Sequence, residues 1–70
     1  MFTLKIKTEN AAFCDPFTGE PDRYCSQDEV LRILKDLVFD MELQLRGGAV
    51  LNFKNLRDCN GNVVGKAEFK

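Results

Sequence analysis

The chain contains no histidine. That removes the side chain most often used as a general base near neutral pH, and the commonest neutral metal ligand with it. There is no long apolar run, and no charged leader ahead of an apolar stretch, so neither a membrane span nor a signal peptide is predicted. The expectation is an intracellular, cytoplasmic setting in which Cys14, Cys25 and Cys59 stay reduced. No glycine-rich phosphate loop is present either. The segment "RGGAV" lacks the lysine and spacing of one and follows a predicted helix instead of opening it, so Gly47–Gly48 reads as a helix end.

Metal and nucleophile chemistry are equally thin. Cys14 and Cys25 bracket a loop at a spacing that matches no CxxC pattern, and Cys59 with Asp15 would be needed to complete a ligand set. A metal site, a Cys14–Cys25 bridge and ordinary thiols are the three readings, and ordinary thiols are favoured, with no metal or cofactor expected. A nucleophilic cysteine needs a base, and only carboxylates and lysines are on offer. Asp36 and Asp40 lie one helical turn apart, but on a surface face where a raised pKa is not expected. No catalytic residues are assigned and an enzyme is not expected.

What is present is a chain of 70 residues, 44% hydrophobic and 30% charged, with a net charge of −1. A single domain this small buries only about 60% of its unfolded surface, so a large apolar residue left outside the core is informative. The charge is unevenly spread. Glu9, Asp15, Glu20, Asp22, Asp28 and Glu29 are opposed in their segment only by Arg23, whereas Lys5, Lys7, Lys54, Arg57, Lys66 and Lys70 dominate the two ends.

Residues 2–7, "FTLKIK", alternate strictly and predict a half-buried strand, with Phe2, Leu4 and Ile6 inward. A loop over about 8–25 follows, broken up by Pro16, Gly19 and Pro21. It is long for so small a domain. "SQDE" predicts a capping box, Ser26 with Glu29, opening a helix over about 27–46. Val30, Ile33, Leu34, Leu37, Met41 and Leu45 share its apolar stripe, with Leu31 and Val38 at the border. Residues 49–70 predict a hairpin around "DCNG", a type I turn with Gly61 left-handed and a bulge after it. Counting outward from that turn places Phe53 opposite Ala67 and Leu51 opposite Phe69, all facing inward.

The expected fold is therefore α+β: β-α-β-β, a three-stranded antiparallel sheet of order 1-3-2 with one helix on one face. Its outer face would carry Lys5, Lys7, Lys54, Lys66 and Lys70 without aromatic rings, which makes nucleic-acid binding the third-ranked function.

Phe39 and Leu43 fall outside the helix stripe. They are one turn apart, so they form a continuous ridge, set among Arg32, Lys35, Asp36, Glu42 and Arg46. An apolar centre with a charged rim suits a partner interface. Phe13, Asp15, Phe17 and Tyr24 of the loop are expected to contact that partner, the alternative being that Phe13, Phe17 or Tyr24 folds back over the ridge.

Three stretches carry a resemblance. "MFTLKIKTENAAF", "EVLRILKDL" and "LRDCNGNVVGKAEFK" resemble a widespread group of small uncharacterised proteins of bacteriophages and prophages. These share a T-x-N-A-A-F-like strand end, an E-x-x-R-I-L-like helix and an L-R-D-x-N-G-N turn. The similarity covers about two-thirds of the chain and leaves out "CDPFTGEPDRYC". It implies a phage accessory protein that binds and blocks a protein of its bacterial host, as inhibitors of host defence such as anti-CRISPR proteins do. No functional residue is carried across. The leading expectation is a non-enzymatic module docking on a host protein through Phe39 and Leu43. A homodimer through the same ridge is the alternative.

Overall fold

A computed structural model describing all of residues 1–70 has the elements β1 (Phe2–Ile6), a 3-10 turn (Ala11–Phe13), α1 (Arg23–Arg46), β2 (Phe53–Arg57) and β3 (Val63–Phe69). The three strands form one antiparallel sheet of order β1-β3-β2, with the helix on one face. This is the α+β arrangement that the alternation of β1, the helix period and the hairpin turn predict.

α1 starts earlier than the capping box suggests. Asp22, in extended conformation, is the N-cap, and its carboxylate accepts the backbone N–H of Cys25 at 2.9 Å. An acidic cap there suits both the unpaired N–H groups and the positive end of the helix dipole. The Ser26 hydroxyl is left to donate to the carbonyl of Phe13 at 3.0 Å, tying the 3-10 turn to the helix. At the other end the left-handed residue is Gly48, at φ +80°, the second glycine of the predicted helix end. Gly48 N–H to Leu45 and Ala49 N–H to Gln44 close the helix.

The hairpin turn matches its prediction. Gly61 N–H reaches the Asp58 carbonyl at 3.0 Å, Asp58 N–H reaches Asn62 at 2.9 Å, and Gly61 sits at φ +85°. A further irregularity then changes the register. Arg57 pairs with Val63 but Leu56 pairs with Gly65, so Val64 is an extra residue on β3. Every position of β2 before it is flipped. Phe53 stands opposite Glu68 on the outer face, and Lys54 stands opposite Ala67 on the inner one, where it forms an ion pair with Asp40 of the helix. The expected inward Phe53 and outward Lys54 are thus exchanged. The gain is Leu56, which becomes one of the most buried side chains.

The core consists of Phe13, Ile33, Leu37, Leu51, Leu56, Val64 and Ala67, with Ile6, Ala12, Val30 and Met41 at its margin. Phe13, expected among the loop's partner contacts, is completely buried. Phe2, Leu4 and Phe69 lie on the helix side of the sheet but are not covered. The helix leans toward the other edge instead: its polar contacts run to Lys54, Arg57 and Cys59. That lean turns its buried centre toward Ile33 and Leu37 and leaves Leu31, Val38 and Leu45 outside.

Candidate functional site

Phe39 and Leu43 are 60% and 48% exposed, and no part of the 8–25 loop covers them. α1 places them beside Asp36, whose carboxylate takes a 2.8 Å bond from the Arg32 guanidinium. Arg32 and Asp36 are one helical turn apart, the spacing at which opposite charges pair along a helix. The companion pair, Glu42 with Arg46, does not form, and Lys35, Glu42 and Arg46 enter no ion pair within the chain. A shallow depression beside the ridge is lined by Leu31, Leu34, Lys35, Val38, Phe39 and Glu42.

Arg32 is more committed than a rim residue. Its Nε donates to Glu29 at 2.6 Å and its second terminal nitrogen to the carbonyl of Arg57 at 3.1 Å. The other oxygen of Glu29 accepts the Cys59 backbone N–H at 2.8 Å. Burial pushes the Glu29 carboxyl up, but the bonds from Arg32 and Cys59 outweigh it and the net shift is downward. Asp58 makes a matching knot: it accepts the N–H groups of Asn60 and Asn62 at 2.9 Å each and the Asn10 amide at 2.6 Å. Desolvation again works against these bonds and again loses, so its pKa is also lowered. Both carboxylates are held ionised in structural roles.

The loop is ordered by its own backbone. Cys14 and Pro21 form an isolated antiparallel bridge, and Asp15 accepts the N–H groups of Phe17 and Thr18 at 2.7 and 3.3 Å. Asp15 therefore caps a turn, while Phe17 and Tyr24 project into solvent. The three cysteines are unbridged. The Cys25 thiol is pushed up in pKa by its contact with Asp22, and the Cys59 thiol by burial and then by Glu29. No group of three or more cysteines and carboxylates is placed to hold a metal ion.

On the outer sheet face Lys5 and Lys66 stand opposite each other, and Glu68 lies 3.3 Å from Lys66 and 3.8 Å from Lys70. Phe53 adds one ring to this face, a feature hidden by the register shift at Val64. No helix is long and apolar enough to cross a membrane.

Among known proteins, no family model, no curated protein and no solved structure matches this chain.

Proposed function

We infer that this chain is a non-enzymatic binding module whose docking surface is centred on Phe39 and Leu43. The observation that carries the reading is the exposure of this apolar pair beside charges that have no partner in the chain, Lys35, Glu42 and Arg46. An apolar centre with a charged rim is what a protein partner covers. Exposed Phe17 of the loop and Tyr24, which the early helix start places in the first turn of α1 and not in the loop, would be separate, additional contacts. The resemblance to phage and prophage proteins directs the reading to a protein of a bacterial host, in particular one of its defence systems, which the module would block by occupying it.

Several features support a binding role over a catalytic one. The chain lacks histidine. The carboxylates of Glu29, Asp36, Asp40 and Asp58 are bonded into the fold, and two of its thiols are shifted away from the reactive thiolate.

The test is a Phe39→Ser/Leu43→Ser double variant compared with the parent chain as bait in bacterial lysate. The melting temperature stays within a degree or so of the parent, and the host protein captured by the parent is lost. Unchanged capture, or a variant that unfolds, defeats the reading. Phe53, on the same sheet face as Lys5 and Lys66 and next to Glu68, favours a second reading, single-stranded nucleic acid on the outer sheet face. It requires affinity that falls steeply with added salt.

A further inference from the structure

The protomer has more surface than its mass accounts for. A compact monomer of 8.0 kDa exposes about 4,450 Å², whereas this fold exposes 5247 Å². Its radius of gyration is 13.5 Å, against about 11 Å for a compact chain of this length. The excess area, about 800 Å², is spread over an elongated molecule 45 Å long and 21 by 18 Å across.

Much of the bare apolar surface lies along one flank of α1. Glu29, Arg32 and Asp40 face the β2 edge and the hairpin turn, so the opposite flank looks toward β1. There Leu31, Val38 and Leu45 recur every seven residues and are 50%, 54% and 63% exposed. Half-buried Leu34 and Met41 fall between them, completing the a/d spacing of a seam between helices. Phe69 lines a depression with Leu45 and Met41, and the Phe2 ring packs on Phe69 with centroids 4.7 Å apart, so the surface continues onto the sheet. Scattered exposed hydrophobes need no occupant, but a seam of several turns continuous with a bare sheet edge does.

We propose that a second copy of this chain occupies this flank, the two α1 helices packing antiparallel about a two-fold axis at Val38. Val38 then meets its own copy, and Leu31 meets Leu45 of the second copy on both sides of the axis. The charges choose the register. Lys35 stands just before the axis and Glu42 just after it, both on the margin of the seam and both unpaired within the protomer. Each Lys35 therefore lies across from Glu42 of the other copy. A parallel alignment faces these e positions with g positions of the other copy, buried Leu37 among them, and joins no opposite charges. An antiparallel axis half a heptad earlier sets Lys35 against Lys35 and Asp28 against Glu42. Of these arrangements only the one centred on Val38 joins opposite charges twice. The Phe39–Leu43 ridge lies farther round the helix and is not part of the seam, but the two surfaces meet: Phe39 shares a depression with Leu31 and Val38, and the dimer engages Lys35 and Glu42 from the ridge's rim.

Sedimentation equilibrium of the full chain over a concentration series tests it. The mass expected is twice that of the protomer. Val38→Lys retains the parent's circular dichroism spectrum and raises the dissociation constant about a hundredfold or more, because it buries unpaired ammonium groups at the axis. Lys35→Glu weakens the dimer and the exchange Lys35→Glu/Glu42→Lys restores it, which decides the matter alone should Val38→Lys fail to fold. The proposal is overturned by a wild-type monomer at millimolar concentration or by a folded Val38→Lys dimer. It is equally overturned by a charge exchange that restores nothing, or by a Phe39→Ser/Leu43→Ser variant that dissociates.

Discussion

The carboxylate of Glu29, in the second turn of α1, accepts the backbone N–H of Cys59 at the tip of the β2–β3 hairpin, 2.8 Å away. The two residues are 30 positions apart, and their bond fixes how the helix lies over the sheet. Arg32 completes the clamp by holding Glu29 with one nitrogen and the Arg57 carbonyl with another.

Removing the acceptor exposes its worth. Glu29→Ala leaves a partly buried N–H and a guanidinium without their partner, a loss of about 1–3 kcal/mol. Urea denaturation should show a lower midpoint with an unchanged slope. Glu29→Gln keeps one acceptor oxygen and loses less.

Acid should weaken the fold through the same network. Glu29 and Asp58 titrate below their ordinary values of 4.5 and 3.8 in the folded chain. Between folded and unfolded pKa the unfolded chain binds more protons, so stability rises with pH there. The contribution is complete above the unfolded values and is lost as pH falls through the depressed ones. The melting temperature should be level from neutrality to about pH 5 and decline below it. Glu29→Gln should remove part of that decline.

Phe13 and Phe17 sit in the same loop and should respond oppositely. Phe13 is fully buried. Phe13→Ala should cost about 3–5 kcal/mol, as much as the core of a domain this small supplies, about 3–5 kcal/mol. The variant is expected to be unfolded by circular dichroism at room temperature. Phe17, 95% exposed, should tolerate alanine with no measurable change in melting temperature.

Gly65 of β3 pairs with Ile6 of β1 and leaves no room for a side chain. A Cβ built there falls onto the backbone carbonyl of Lys5 and against the Cα of Ile6, neither of which can rotate away. Gly65→Ala should destabilise by about 1–3 kcal/mol or more, read as a lowered urea midpoint and faster hydrogen exchange in β1.

The sequence by itself determined the elements and their order. Strict alternation in 2–7, the apolar period after Val30 and the Asp58–Gly61 turn are local signals, and each becomes the element it predicts. Short connections and crossover handedness then leave one simple sheet order. Local patterns carried no trace of three other features. Phe13 lies in a segment without periodicity, so nothing marked it as core until the Ser26 hydroxyl and the Asn10–Asp58 bond drew the 3-10 turn onto the helix. The cap moved from Ser26 to Asp22 because Glu29 is used by Cys59 and Arg32 instead of by its own helix start. The bulge at Val64 was decided by burial of Leu56, and a one-residue slip reverses every side chain behind it, sending Phe53 out and Lys54 in. Which flank of a helix is covered depends on where neighbouring edges lie and which buried groups need partners. Those are distances through space, and only the packed chain sets them.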